Sequence, residues 1–348
     1  MQENIAVISL KNIQHNLFAL RKNLSDRVKI YAVVKANAYG HGAERVAQSL
    51  QPFADGFVVT SLQEGCVLRY AGVQKQVLVL TPPLHEDDVF YAIAHSLTLT
   101  VCSFASLKVV QAAVQKFRQS VCVHIKINTG MNRLGLSDAP LNRLYQAIKH
   151  AKGVRVTGVY SHLYAPDNAI SVQEQRKNFM LYGERARNCF GDITLHLSAT
   201  GGTLLGENYH FSAVRLGIGL YGYLPQGFEE FYPRLHLRPA MKLYTHALQT
   251  HVFTGGGVGY SLAKKSYQKL TAYRLGYADG LPRASGGNRL HAVGNLCMDS
   301  CIKEGKDAYG NKRLVFSSVQ ELAKKLHTIP YEILCNATKR ARMEYVEY

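Results

Sequence analysis

Eight short runs of apolar, largely β-branched residues recur through the first two-thirds of this chain, each followed by a gap long enough for a helix. They fall at 30–34, 56–59, 77–80, 98–102, 121–127, 155–160, 193–197 and 213–216. Their nearly continuous apolar character is that of strands buried on both faces of a parallel sheet. Gaps such as 105–117 and 172–187 have helical composition. Eight such units in roughly 200 residues are what closure of a (β/α)8 barrel needs, so a doubly wound open sheet ranks second. Ahead of the series, residues 4–10 read as a strand, and Ile13, Leu17, Leu20 and Leu24 share one helical face. Past about residue 230 the helical gaps vanish until 318–326. Strand-like stretches at 241–253, 269–275, 290–294 and 313–316 alternate there with glycine turns. The expected architecture is α/β: an N-terminal (β/α)8 TIM-type barrel over 1–230, then a C-terminal, mostly antiparallel β domain over 231–348, with the strand at 4–10 packing against that second domain.

Composition narrows the function. The chain has 348 residues, 47% hydrophobic and 19% charged, an ordinary globular balance. No apolar run reaches the ~20 residues of a membrane span. Met1 to Ile5 shows no basic stretch leading into an apolar core, which points to a cytoplasmic protein. The seven cysteines are odd in number and lack Cys-x-x-Cys spacing, so reduced thiols are expected and no metal site. Lys and Arg outnumber Asp and Glu by 41 to 24, a net charge of +17. These charges are spread along the chain with no nucleic-acid-binding pattern beside them. They suit a basic, solvated surface and anionic small molecules better than DNA or RNA.

In a barrel of this kind the chemistry stands at the C-terminal ends of the strands. Lys35 and Tyr39 stand past the first run; Lys126, Asn128 and Arg133 within and after the fifth; His162 past the sixth; Thr200 past the seventh; and Arg215, with Gly217 and Ile218, at the eighth. A lysine at the end of a buried strand has its ammonium form disfavoured. Its neutral amine can condense with an aldehyde such as that of pyridoxal phosphate. A snorkelling lysine is the plainer reading of Lys35 taken singly. The set taken together is harder to dismiss. Thr200 with Gly201 and Gly202, and the amides of Gly217 and Ile218, can cradle a phosphate. Arg215 can face a pyridine nitrogen, and Arg133 can hold a carboxylate with its planar fork. Gly255 to Gly259 lacks a βαβ context and reads as a turn. His196 reads as a core histidine, and Asp279 as a turn-forming residue.

The segment Lys35-Ala36-Asn37-Ala38-Tyr39-Gly40-His41-Gly42 resembles the pyridoxal-phosphate attachment motif of the alanine racemase family. Thr129 to Gly135, Val214 to Gly222, Leu275 to Gly280 and Cys297-Met298-Asp299 are similar to further motifs of that family, in family order. The resemblance implies a barrel and β domain in a homodimer with shared active sites, interconverting L- and D-alanine with pyridoxal 5'-phosphate as cofactor. It implies two bases on opposite faces of the substrate: Lys35 on the D side, and Tyr260 of the partner subunit on the L side. Tyr39, His162, Thr200, Arg215, Gly217 and Ile218 would hold the cofactor, and Arg133 and Met298 the substrate. Lys126 would carry a carbamate that orients Arg133. D-alanine for cell-wall precursors is the family's usual product.

The chain departs from the family pattern in four ways. Ala199-Thr200 stands for Asn-Ser; Gly259-Tyr260-Ser261 for a segment ending Ser-Tyr-Gly; Thr338-Lys339-Arg340 for Ser-Tyr-Arg; and the stretch after Asp299 is shortened. Lys339 raises serine or broad specificity as an alternative to alanine. A non-catalytic pyridoxal-phosphate-binding protein ranks lower, because such barrels usually lack the β domain and its tyrosine. A decarboxylase ranks lower too, because Arg215 stands where a carboxylate is needed.

Overall fold

The computed structural model describes residues 4–283 and 292–347. Strand β1 (Asn4–Ser9) comes first and does not join the barrel. The barrel itself has eight parallel strands: β2 (Lys29–Val33), β3 (Gly56–Val59), β4 (Gln76–Val79), β5 (Leu99–Val101), β6 (Val121–Lys126), β7 (Val154–Tyr160), β8 (Thr194–His196) and β9 (Ala213–Leu216). Their order is β4-β3-β2-β9-β8-β7-β6-β5. The two ends meet at Thr98, whose amide donates to the Val77 carbonyl at 2.8 Å and whose carbonyl accepts from Val79 at 2.9 Å. The barrel is nearly closed, as the count of eight units required. Val58, Val77, Val79, Leu99, Val101, Val123, Ile125, Val159 and Val214 are buried to 1% exposure or less. That is why the runs read as continuous rather than alternating.

The remaining strands build a second, mostly antiparallel sheet. They are β10 (Met241–Val252), β11 (Gly257–Val258), β12 (Ser261–Leu262), β13 (Lys269–Tyr273), β14 (Cys301–Glu304), β15 (Lys312–Phe316) and β16 (Ala341–Val346). The sheet runs β14-β13-β10-β1-β16, with β15 also on β10 and β11-β12 as a separate hairpin. β1 pairs antiparallel with β10 and parallel with β16, from Asn4 opposite Ala341 to Ser9 opposite Val346. The strand expected at 290–294 and its Gly286-Gly287 turn fall wholly or partly outside the described residues. β16 was not expected, although Ala341, Met343 and Tyr345 alternate with the charged Arg342 and Glu344; its residues are half-buried throughout.

The helix Leu10–Arg21 links the two sheets. Ser9 caps it, accepting the Asn12 amide, and Ile13, Leu17 and Leu20 are fully buried on one face. Asn16 on the same face is also fully buried. Its amide nitrogen donates to the carbonyls of Leu220 at 2.9 Å and Arg238 at 2.8 Å, and its oxygen accepts the Arg238 amide at 2.7 Å. One side chain thus satisfies three backbone groups on the path from β9 to β10. Asn16→Leu is close in shape but leaves those groups, one buried and two part-buried, without that partner. We expect it to cost about 2–5 kcal/mol, seen as a lower urea midpoint with an unchanged slope.

Candidate active site

β2 ends at Val33, and Lys35 begins an unusual turn. Ala36, Asn37, Ala38 and Tyr39 all lie in left-handed helical space, with φ of 50–54° and ψ of 41–49°. For L-residues each costs roughly 1–2 kcal/mol, so neighbours must hold the turn. Glu64 accepts the Ala36 amide at 2.7 Å while its other oxygen takes those of Thr60 and Ser61. Asn37 accepts the Ala43 amide at 2.8 Å, fastening the turn to the helix Ala43–Leu50. His41 is fully buried, and its Nδ1–H donates to the carbonyls of Ala38 and Tyr39 at 3.0 Å. Burial pushes His41 down to about 4, so it stays neutral. The sequence showed a glycine-containing turn here. The left-handed run of four non-glycine residues was not legible.

The strand ends surround a cavity of about 540 Å³. Lys35, Tyr39, Arg133, His162, Thr200, Arg215, Gly217 and Ile218 all line it, and so does Lys126. Among the described residues that line it, four are cationic and none is a carboxylate. Burial holds the Lys35 amine below its ordinary range, Arg133 adds repulsion, and Glu64 partly opposes both. Lys126, 4% exposed, is pushed down to about 7 by burial and by the Arg215 and Arg133 charges.

Arg215 is buried without a carboxylate. Its NH1 donates to the His196 carbonyl and to His196 Nδ1, both at 2.9 Å. Its NH2 donates to the carbonyls of Ser161 at 2.6 Å and Leu197 at 2.8 Å, and reaches His162 Nδ1 at 3.3 Å. Burial lowers Arg215 to about 10, so it remains a cation at neutral pH. His196 is therefore more than a packed core residue. An arginine only donates, so His196 Nδ1 accepts and its Nε2 carries the hydrogen, 2.9 Å from His124 Nδ1. Burial and Arg215 hold both rings neutral. The Thr200 hydroxyl accepts the amides of Gly217 at 3.2 Å and Gly219 at 3.3 Å, drawing the two glycine segments together.

Tyr260 and Met298 do not line this cavity. They lie on the second sheet's side, 76% and 54% exposed. They share one surface: a Cβ on Gly259 would stand 3.4 Å from Asn295 O and Cys297 Sγ, and Ala278 donates to the Met298 carbonyl at 3.0 Å. Asp279 is buried and accepts the Gly276 amide at 2.8 Å, closing a turn, and Arg274 stands 3.3 Å away. Lys339 is exposed and is not among the cavity's lining residues. Tyr331 and Tyr160 do line it, and sequence reasoning missed both. Tyr160 lies under Arg215 and Lys126, which sit 5.5 and 5.2 Å from its ring centre.

Family models of the alanine racemase N-terminal domain and C-terminal domain match residues 8–225 and 240–345. The chain belongs to the alanine racemase family. It is an amino-acid racemase, an isomerase. It is 31% identical to an alanine racemase of Streptococcus uberis, covering 98% of this chain and 97% of that protein. It is 30% identical to alanine racemase 2 of Caldanaerobacter subterraneus, covering 97% and 94%. Among solved structures it is similar to the alanine racemase of Clostridium difficile, with TM-score 0.89 and 27% identity over 100% of this chain and 96% of that one. The Bacillus anthracis alanine racemase with bound L-Ala-P gives TM-score 0.90 and 26% identity over the same shares. Among the described residues no helix is long and apolar enough to cross a membrane.

The depressed amine of Lys126 makes stability depend on pH. Below about 7 both folded and unfolded chains hold its proton, and the folded state bears the full desolvation penalty. Between there and its unfolded value of 10.5 the unfolded chain binds more protons, so this penalty fades as pH rises. Lys126→Met is therefore expected to stabilise the ligand-free protein at pH 6 and to lose that advantage by pH 10. Urea unfolding in carbon-dioxide-free buffer measures it; an equal gain at both pH values would sink the assignment.

Proposed function

We propose that the chain is a pyridoxal-phosphate-dependent racemase that interconverts L- and D-alanine as a cytoplasmic homodimer with shared active sites. The observation that carries this reading is the rim cavity itself: a lysine amine of lowered proton affinity among cations, with no carboxylate among its described lining residues. Such a cavity suits a ligand bearing a phosphate at one end and a carboxylate at the other. The residues fit the cofactor. Lys35 offers the amine for its aldehyde. Thr200, Gly217, Ile218 and Tyr39 form a hydroxyl- and amide-rich cradle for its phosphate, and Arg215 meets its ring nitrogen. Bound there, the cofactor supplies an electron sink for the pair left on the substrate's α-carbon.

The chain's own groups set which reaction occurs. Arg133 holds the substrate carboxylate. Lys35 exchanges the α-proton on the D side. The Tyr260 hydroxyl, contributed by a second copy, exchanges it on the L side, with Met298 at the entry. Racemisation needs a group on each face, since one face loses a proton as the other gains one. Arg215 stays protonated and cannot hand over a full proton. Its fixed donors restrain the sink, which disfavours transamination and decarboxylation. His162 and His196 hold that guanidinium from behind. Serine preference, motivated by Lys339, gains no support from that residue's exposed position.

Chiral analysis of protein supplied with pyridoxal phosphate and L-alanine tests the reading. D-alanine should form, L-serine should turn over more slowly, and Lys35→Ala should abolish both reactions. Tyr260→Phe should lose about 10²-fold or more. Mixing the two inactive variants under subunit exchange should restore activity. A heterodimer then has one site with an intact Lys35 in one chain and an intact Tyr260 from the other. No recovery on mixing would rule out the shared site.

A further inference from the structure

The left-handed turn is covered by residues from the far end of the sequence. The helix Pro330–Ala337 and strand β16 pass directly against it. A Cβ on Gly40 would collide with the Leu334 carbonyl, and one on Gly42 with the Tyr345 hydroxyl. Both glycines also have positive φ, at 80° and 87°. Contact this close leaves the turn no room to relax toward the right-handed conformation.

Within that contact, Tyr331 meets Tyr39. Their rings stand edge to face, with centroids 5.6 Å apart and planes at 69°. Tyr39 has a second ring neighbour in Tyr221, at 5.0 Å, which is itself fixed by donating to the Val33 carbonyl at 2.9 Å. The Tyr39 hydroxyl lies over the backbone of Gly217, 3.0 Å from where a Cβ on that residue would stand. Gly217 is half of the cradle that Thr200 draws together. Tyr39 is thus wedged between a fixed ring from the barrel and a ring from the C-terminal helix, with its phenol at the cradle.

We propose that Tyr331 is a positioning residue for the phosphate end of the cofactor site. Its ring holds the Tyr39 ring over Gly217, and the helix Pro330–Ala337 acts as a clamp by which the C-terminal part of a chain shapes the lysine turn of the same chain. The proposal rests on the reading that Lys35 and Tyr39 receive pyridoxal phosphate. Removing the ring opens space into which Tyr39 can swing away from Gly217; phenylalanine at 331 fills that space as tyrosine does.

The test titrates the full-length apoprotein of wild type, Tyr331→Ala and Tyr331→Phe with pyridoxal phosphate, well below each unfolding temperature, following absorbance. Tyr331→Ala is expected to raise the dissociation constant tenfold or more, and Tyr331→Phe to leave it within twofold. In a Tyr39→Ala background the Tyr331→Ala change should add less than twofold, because the ring it positions is already gone. Unchanged affinity in Tyr331→Ala overturns the proposal. So do equal losses in the alanine and phenylalanine variants, or independent losses in the Tyr39→Ala background. If Tyr331→Ala fails to fold, Tyr331→Leu is read in the same way. A wild-type protein that binds no pyridoxal phosphate overturns the functional reading instead, which separates the two failures.

Discussion

A run of four L-residues in left-handed helical space persists only when its surroundings leave no alternative. Here those surroundings come from three directions. Glu64 reaches from the next strand-to-helix corner, with one carboxylate oxygen on the turn and the other on its own helix start. His41 folds back from inside the motif to take up two carbonyls. The helix Pro330–Ala337 closes the outside, with Leu334 and Thr338 against Gly40. The neutrality of His41 matters in this arrangement. A charged imidazole in that dry position would be strongly destabilising.

Electrostatics is the second organising constraint. Arg215 is a buried cation solvated by three carbonyl dipoles and two neutral imidazoles rather than by an opposite charge. Its full positive charge is therefore felt across the rim. Burial is the main reason that Lys126, His162 and His196 hold protons less readily, and Arg215 adds to it; burial likewise leads at Lys35, with Arg133 acting in the same sense. A cavity of this sign is incomplete in itself, and an anionic ligand supplies the charge that the protein omits. The net charge of +17 extends the same bias over the whole molecule.

Much of this was readable from the residues. The barrel was legible because strands buried on both faces cannot hide their period. The cations of the rim were legible because a charged side chain at the end of an apolar run is out of place there. Other features left no such trace. Ala36, Asn37, Ala38 and Tyr39 contain no glycine, so nothing in them announces a left-handed turn. Tyr331 is one aromatic residue in a short helix, and its place at the cavity depends on a contact spanning nearly the whole chain. His196 sits in an apolar run like any core residue, and its bond to Arg215 is a matter of barrel register. Strand β16 left a trace, alternating Ala341, Met343 and Tyr345 with Arg342 and Glu344, but its short run sits beside the basic Lys339 and Arg340, and only its pairing with β1 fixes it as a strand.

That last pairing bears on how the molecule is made. On the ribosome, β1 emerges more than 300 residues ahead of β16, and at about 5–20 residues per second that is on the order of 15–70 s. Through that interval a strand whose Ala6 and Ile8 end up fully buried has neither neighbour for most of the time, because β10 begins only at Met241. The barrel between them can close while β1 waits. Nascent chains of this topology thus carry an unpaired, apolar edge beside a largely formed domain. The order of the strands makes β1, the earliest strand to be synthesised among the described residues, one of the last to be paired.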